Sequence, residues 1–435
     1  MSIKKNIYCL GIFFLLLISQ SITAQQQKLS LNDAIRMGIK NSKQLQVSKA
    51  RIEMANAALI DAKNNRLPNA DVSGAYLRIL QPNIDLKTQS SGGGHTPQVN
   101  QAVYGIANIS YPIYAGGKIK YGIESAQYLS QAASLDAAND EEAVTQNIIN
   151  AYISLYKAQI TSSIIKDQLG ASRQRDTSFS HLEQNGLLAR NDLLKAELQS
   201  SSLELQLLQA GNDEQITSFN LDLLLGLPTG TLPVIDTAFN ARSLIKTYEE
   251  YQTLAMQSRA DLKAFEPRKK AGLTNIKIAN AAAYPSLALT GGYIAADIPG
   301  FLTITNAVNF GIGIQYNISS LWKKNAKVLQ AKASLSELTA RQGQLSDEIS
   351  TEVNTAYQNY LLSNKKIEVY KNAALQAEEN YRITKNKYDN SLATITDLLD
   401  AQAAEHQAEL NEKLAGADAL SAYYKLLQSA GILKL

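Results

Sequence analysis

The feature that most constrains the fold of this chain is an internal duplication. Beyond Tyr111 and Tyr316, matching positions lie 205 residues apart, and this offset holds without a gap to Gly226 and Gly431. Further upstream the offset is 217, and it pairs Pro68 with Pro285, Gly74 with Gly291 and Tyr76 with Tyr293. A constant offset over such a length indicates two copies of one structural unit. Each copy is predicted to run helix, strand, loop, strand, long helix, short break, long helix.

The first helix of each copy is predicted from its boundary residues. In the first copy it should begin after Ser30, a residue type that caps helix N-termini, and run to about Asn65. Pro68 bars its continuation because proline lacks the backbone donor that the next turn needs. Its twin in the second copy is expected from about Ser243 to Ala283.

The second half of each copy predicts exceptionally long helices. Roughly 100 residues without proline follow Lys118 and Trp322. The helices should be interrupted at Asn185-Gly186 and at Asn390-Ser391, where a left-handed residue can end a helix. A helix from Lys118 to Gln184 would be about 100 Å long at 1.5 Å per residue. No ordinary globular core has that length, so we expect these helices to lie side by side as a coiled-coil-like wall.

Four short segments alternate apolar and polar residues, as strands with one apolar face do. They span about 69–80, 103–113, 286–294 and 307–318. Strands of this length fit a transmembrane barrel, and alternation alone fits a soluble sheet on a core equally well. A barrel needs about eight strands, and in lipid each unpaired backbone group at an open edge costs several kcal/mol. A barrel therefore requires several chains, and a dimer, a trimer and a tetramer would supply eight, twelve and sixteen strands.

Two loops join the strands within each copy. Gln81 to Val99 contains three consecutive glycines and two prolines, a composition that predicts a flexible exposed loop. The second hairpin loop, around Asp297–Gly300, is shorter. Both are expected on the outer side of the membrane, because the helices must share the opposite side.

The first 24 residues predict export from the cytoplasm. Lys4 and Lys5 precede an apolar stretch from Ile7 to Ile18, and Ala24 suits a cleavage site, which is the pattern of a signal peptide. Cys9, the single cysteine, would leave with this segment, so the mature chain would form no disulfide. The mature chain would carry a formal charge of only +1, which argues against nucleic acid as a partner.

The sequence offers no sign of an enzyme. Its three histidines, His95, His181 and His406, are isolated and lack metal-ligand spacing. His406 lies near Glu405 and Glu409, a neighbourhood that favours a solvated helix face. We therefore predict no catalytic residues, no cofactor and no metal.

Several local motifs, in this order within the duplicated frame, resemble the TolC-type outer-membrane efflux proteins. The motifs are Leu67-Pro68, Tyr284-Pro285, Tyr111–Gly117, Leu224–Pro228 and Tyr388–Asp400. The resemblance implies an α+β membrane protein that forms a homotrimer. Its four strands per chain would build a shared 12-stranded barrel, continued by a long α-helical barrel through the periplasm.

The resemblance also implies a function and partners. The chain would be the outer-membrane exit duct of a tripartite efflux or type I secretion system. It would contact outer-membrane lipid, a periplasmic adaptor (membrane fusion) protein and an inner-membrane transporter of the RND or ABC class. The expected division is a signal peptide at 1–24, repeats at 25–226 and 243–435, and an inter-repeat linker at 227–242.

Family members close at the far tip of the helices, where aspartates ring the opening. The matching positions are Asp397 and Asp400, three residues apart on one helix face. Asp397 also fits an N-terminal cap with Thr394, a role that Asp192 would repeat in the first copy. Tyr388 and Asp192 match two family residues that lock the closed tip by hydrogen bonds, whereas Ala393 stands where a lock arginine is found.

A second class of protein also explains part of the sequence. An exported periplasmic coiled-coil scaffold without a channel would account for the signal peptide and the long helices. It would not account for alternating strands at matched places in two repeats.

Overall fold

The computed structural model of the chain describes residues 28–80, 99–235 and 246–433. Four predicted features lie wholly or partly outside these ranges. They are the signal peptide at 1–24, most of the loop Gln81 to Val99, the helix start at Ser243 and part of the linker at 227–242.

The described elements follow the predicted order in both copies, and the fold is α+β. The first copy contains α1 (Leu31–Asn41), α2 (Lys43–Asn64), β1 (Asn69–Arg78), β2 (Gln101–Ala115), α3 (Lys118–Gln184) and α4 (Arg190–Leu225). The second contains α5 (Tyr248–Ser258), α6 (Ala260–Lys263), α7 (Phe265–Ala281), β3 (Ser286–Ile298), β4 (Leu302–Gln315), α8 (Ala326–Asp389) and α9 (Ile395–Ser429).

The first helix of each copy is not continuous, in contrast to the prediction. Ser42 breaks it in the first copy, with φ −60° and ψ 120°, and Arg259 breaks it in the second, with φ −57° and ψ 125°. The two breaks are 217 residues apart, so they occupy equivalent positions. The N-caps are equivalent too, since Ser30 caps α1 as predicted and Thr247 caps α5.

A glycine that ends the last helix of each copy packs against each break. Gly226 has φ +69° and lies against Asn41, while Gly431 has φ +66° and lies against Arg259. A Cβ atom on either glycine would come within 3.0 Å of those neighbours. The break is therefore part of the packing between the first and last helices of each copy.

The long helices match the prediction except at one start. α3 spans Lys118–Gln184 as expected, with 67 residues. α8, with 64 residues, begins at Ala326 rather than Trp322, because a 3₁₀ turn occupies Ile318–Leu321 and Asn325 caps the helix. No helix in the described ranges combines the length and the hydropathy needed to cross a membrane.

The long helices lie side by side in the order α4, α3, α9, α8. α1 packs on α3 and α4, and α5 packs on α8. One apolar core surrounds Ile148, Tyr152 and Leu225, and the Tyr152 hydroxyl donates to the Leu29 carbonyl at 2.8 Å. An equivalent core in the second copy surrounds Val353 and Leu426.

The four strands form one antiparallel sheet in chain order, β1-β2-β3-β4. Their register places most of the apolar residues of the four strands on one face, as the alternation predicts; one cross-strand row joins Tyr111, Leu289 and Ile312. The opposite face is more polar, as in the row Asp71, Asn108, Gly292 and Asn309, although Ile106 and Ile294 also lie on it. The strand ends differ from the prediction by up to five residues, most of all in β4, which begins at Leu302 and ends at Gln315.

Candidate gate at the helical tip

The two helical hairpins turn back at one end of the molecule, which we call the helical tip (residues 179–200 and 381–402). At the end of α3, Gly186 adopts φ +72°, its amide donates to Glu183, and the Leu187 amide donates to Leu182. This pair of bonds is a Schellman motif. Ser391 and Leu392, 205 residues later, form the same pair of bonds, with φ +61° at Ser391. Both predicted breaks are confirmed.

An apolar cluster joins the two hairpins of one chain at the tip. Its buried members come from both copies: Phe179, Leu193, Ala196, Ile395 and Leu398. Tyr388 packs on its edge, with its ring centre 6.0 Å from that of Phe179. Burial raises the pKa of the Tyr388 hydroxyl, and the nearby charges of Asp192 and Asp389 raise it further. The charge of Asp192 therefore acts on the Tyr388 hydroxyl, whereas the hydrogen-bonded lock that the resemblance implies for these two residues stays a prediction.

Asp397 caps the start of α9. Its carboxylate accepts from the Thr394 amide at 2.9 Å and from the Thr394 hydroxyl at 2.7 Å, while its own amide donates to that hydroxyl at 3.2 Å. The hydrogen bonds from Thr394 lower the pKa of the Asp397 carboxyl. This reciprocal arrangement is a capping box, so the capping role considered for Asp397 is present.

Asp192 does not repeat that capping role, because Ala189 stands at the N-cap of α4 and has no side-chain acceptor. The carboxylate of Asp192 instead accepts from Lys195 at 3.4 Å. Asp400 lies one turn beyond Asp397, on an exposed part of α9. The structure of one chain therefore leaves Asp400 as an acid with no capping task.

Two polar links between the hairpins could not be found from sequence motifs. The first is a hydrogen bond of 3.2 Å from Lys195 on α4 to the Thr396 hydroxyl on α9. The second is a hydrogen bond from Arg175 on α3 to Gln402 on α9. Each joins residues more than 200 positions apart. One feature of the sequence hints at the second link. Two polar residues, Ser172 and Arg175, occur in a stretch of α3 whose other members at helical spacing are apolar, namely Ile165, Leu169 and Phe179.

Arg175 belongs to a half-buried polar network. It donates to the Ser172 hydroxyl at 2.6 Å, and Ser172 lies 2.7 Å from the Ser200 hydroxyl, which in turn donates to Asp176. Burial lowers the pKa of the Arg175 guanidinium. Because an unpaired buried polar group is costly, this network favours one arrangement of α3, α4 and α9.

His406 adjoins the same network, and its prediction as a solvated residue was wrong. Its ring nitrogen lies 3.5 Å from the Gln402 amide, and the side chain is half-buried. Burial lowers the pKa of the imidazole, and the positive charge of Arg175 lowers it further. Among the described residues, no three His, Cys, Asp or Glu side chains are grouped so that they could hold a metal ion.

Known proteins share this architecture over nearly its whole length. The CmeC outer membrane channel of Campylobacter jejuni superposes with a TM-score of 0.79 at 18% identity, over 93% of this chain and 86% of that one. VceC from Vibrio cholerae superposes with a TM-score of 0.76 at 20% identity, over 92% and 96%. The duplicated unit therefore has the fold of an outer-membrane channel.

The sequence comparisons identify the family. Residues 34–227 and 252–432 match the profile of the outer membrane efflux protein family. The outer membrane protein TolC of Vibrio cholerae serotype O1 is 23% identical over 405 residues, covering 90% of this chain and 88% of that protein. The efflux protein BepC of Brucella suis biovar 1 is 22% identical over 422 residues, covering 95% and 88%.

The chain belongs to the outer membrane efflux protein family. It is an outer-membrane exit duct, and its relatives are channel proteins rather than enzymes. The resemblance stated from the sequence motifs is confirmed, and the periplasmic scaffold without a channel is set aside.

Proposed function

We propose that three copies of this chain form one export duct, with a 12-stranded barrel in the outer membrane and the helices in the periplasm. The observation that carries this proposal is the sheet itself. Its outer strands β1 and β4 each have a neighbour on one side only, and its exposed face is apolar, with Phe310 93% and Val308 73% exposed. Pairing β4 of one copy with β1 of the next removes the open edges that lipid penalises.

The helices support the same contact between copies. α4 and α8 lie at the two edges of the helical row, as β1 and β4 lie at the edges of the sheet. Large apolar side chains are exposed along both edge helices: Leu198, Leu205, Leu208 and Phe219 on α4, and Leu361, Leu362, Val369 and Leu375 on α8. One neighbouring copy would cover both the strand edge and this helical surface. The number three comes from the family resemblance, since the strand count alone also allows a dimer or a tetramer.

The partners follow from the same proposal. A periplasmic adaptor (membrane fusion) protein would bind near the helical tip, and an inner-membrane RND or ABC transporter would deliver the cargo. Residues 1–24 would be removed as a signal peptide, leaving repeats at 25–226 and 243–435 joined by a linker at 227–242.

We assign the periplasmic gate to Asp397, Asp400, Asp192 and Tyr388 at the helical tip. In a trimer Asp397 and Asp400 would contribute six carboxylates to one constriction, which would attract cations and resist anions. Asp400 is the stronger candidate because Asp397 already serves the helix cap. Tyr388 and Asp192 would hold the two hairpins in the closed position.

Reconstitution of the purified full-length chain tests this proposal. The protein should be extracted from the outer membrane only by detergent, and it should have the native mass of a trimer. In a planar bilayer it should conduct ions. A soluble periplasmic monomer would refute the duct.

The double variant Asp397→Ala, Asp400→Ala should lower cation selectivity and weaken block by multivalent cations. Unchanged conductance, selectivity and block would show that the gate assignment is wrong, while the duct itself would stand.

A further inference from the structure

An open cleft of about 1010 Å³ lies where the helices meet the sheet, at the ends of β1 and β2. We call it the junction cleft. Its lining combines basic side chains with exposed aromatic and aliphatic ones, and the residues used below are Lys63, Arg66, Leu67, Tyr111, Ile113, Tyr114 and Lys120.

The cations that line the junction cleft have no carboxylate partner among the described residues. They are Lys63, Arg66 and Lys120, and all three are exposed. Elsewhere on the helices some basic residues are paired, such as Arg268 with Asp136 at 2.5 Å, and others, such as Lys166, are exposed without such a partner. The cleft differs in that three such cations line one cavity, where they repel one another, so an anion between them would relieve that repulsion.

The apolar side chains of the cleft are exposed next to these cations. Leu67 is 59%, Ile113 53% and Tyr114 45% exposed. Tyrosine with its polar tip, beside lysine and arginine, is the side-chain mixture found where a bilayer meets water. A free phosphate would satisfy the cations but would leave this apolar surface in water.

The equivalent place in the second copy has a similar composition. Lys323, Lys324 and Lys327 follow β4, beside the exposed Leu321 and the single tryptophan, Trp322. No acidic residue occurs from 298 to 336. In a ring closed by pairing β4 with β1 of the next copy, these lysines would lie close to Lys63 and Arg66.

We propose that the junction cleft binds the anionic headgroup of a phospholipid in the leaflet next to the helices. The headgroup phosphate would lie among Lys63, Arg66 and Lys120, with Arg66 offering two parallel donors. The acyl chains would run along the apolar face of the sheet, past Ile113 and Tyr111. This assignment rests on the proposed placement of the sheet in the membrane.

Native mass spectrometry of the delipidated full-length protein tests the proposal. The probes are phosphatidylglycerol, zwitterionic phosphatidylethanolamine, inorganic phosphate and an oligoglutamate peptide. The wild type should retain phosphatidylglycerol in preference to phosphatidylethanolamine. The variant Lys63→Gln, Arg66→Gln, Lys120→Gln should weaken that binding at least about tenfold.

Two further variants control for charge and for folding. Lys166→Gln, Lys366→Gln, Lys371→Gln removes the same charge from exposed positions on α3 and α8, and it should bind phosphatidylglycerol like the wild type. Lys63→Arg, Lys120→Arg keeps the charge of the cleft and should also retain the lipid. If the glutamine variant fails to assemble, the arginine variant still tests the site, because the proposal requires the arginine variant to bind phosphatidylglycerol.

Five outcomes would overturn the proposal. They are equal binding of the two lipids, unchanged binding in the cleft variant, loss of binding in the distant control, loss of binding in the arginine variant, and displacement of lipid by inorganic phosphate or by oligoglutamate at equal concentration. The same spectra report the oligomer mass, and bilayer conductance is measured in parallel. A failure of the duct proposal would change mass or conductance in the wild type, whereas a failure of the lipid site would leave both intact.

Discussion

Lys195 on α4 donates a hydrogen bond of 3.2 Å to Thr396 on α9, and this bond joins the two copies of the duplicated unit at the helical tip. Lys195 is also the position equivalent to Asp400, because the two residues are 205 positions apart. The copies have therefore diverged at this site. One offers a cation that joins the hairpins, and the other offers an exposed acid, which the proposed gate would use.

Removing this bond should loosen the closed tip. The variant Lys195→Met, Thr396→Val loses one exposed hydrogen bond between the hairpins in each chain, about 0.5 kcal/mol. It also removes the ion pair of Lys195 with Asp192, which lies within α4 and does not join the hairpins. If the three chains of the proposed trimer open together, the closed state loses about 1.5 kcal/mol in total. The equilibrium between the closed and open states then shifts roughly tenfold towards the open state. Single-channel recording in a planar bilayer measures this change. Lys387→Met is the matched control, because Lys387 is an exposed tip lysine without an ion-pair partner among the described residues, and it should leave the opening frequency unchanged.

Asp397 and Asp400 can be separated because only Asp397 caps a helix. Asp400→Asn should lower cation selectivity and leave amide hydrogen exchange at residues 394–400 as in the wild type. Asp397→Asn should speed exchange there, since it weakens the bonds to Thr394. Reversal potentials in a salt gradient and exchange mass spectrometry give both readouts. Unaltered selectivity in Asp400→Asn would remove Asp400 from the gate.

Ser391 is a non-glycine residue in the left-handed conformation, at the position that Gly186 holds in the first copy. Ser391→Gly should stabilise the second turn by about 1 kcal/mol, and Gly186→Ala should destabilise the first by about 1–2 kcal/mol. The space around Gly186 is open, so the cost comes from φ alone. Local hydrogen exchange at both turns measures the effects.

Gly170→Ala provides the control of opposite sign. Gly170 lies inside α3 with open space around its Cα, so alanine should stabilise the helix by about 1 kcal/mol. If Gly186→Ala behaved like Gly170→Ala, strain at the turn would not explain the preference for glycine.

The long helices were predictable because their signals are local. The absence of proline from Lys118 onward and the Asn185-Gly186 pair set both ends of α3, and the structure agrees. The break in the first helix was not predictable in the same way. Ser42 is an ordinary N-cap residue, but the equivalent Arg259 is not. That break is set by tertiary contacts, including the bond from Asn41 to the Leu225 carbonyl at 2.6 Å.

The contacts at and near the helical tip were predictable only in part, for the same reason. The capping box of Thr394 and Asp397 involves residues three positions apart, and its pattern is visible in the sequence. The links from Lys195 to Thr396 and from Arg175 to Gln402 join residues on different helices. Their partners depend on how the hairpins pack, which no spacing in a single sequence reports.

We expect His406, which lies just beyond the helical tip on α9, to make the stability of the folded chain depend on pH. The ordinary pKa of histidine is 6.5, and burial near Arg175 lowers it in the folded chain. Below pH 6.5 the unfolded chain takes up a proton that folded His406 does not, so this residue costs stability as pH falls towards its folded pKa. Replacing it by Asn should therefore reduce the loss of stability between pH 7 and pH 5.

Glu405, next to His406, makes stability depend on pH in the opposite direction. Comparing the wild type with His406→Asn separates the two contributions. Burial and the charges of Glu409 and Glu378 raise the pKa of Glu405, which adds stability as pH falls. That contribution is present in both proteins, so it cancels in the difference. His181→Asn, which replaces an exposed histidine at the end of α3, is the matched control. The difference between the melting temperatures at pH 7 and pH 5 should be smaller in His406→Asn than in the wild type and in His181→Asn. An equal difference in all three proteins would show that the protonation of His406 is not coupled to folding.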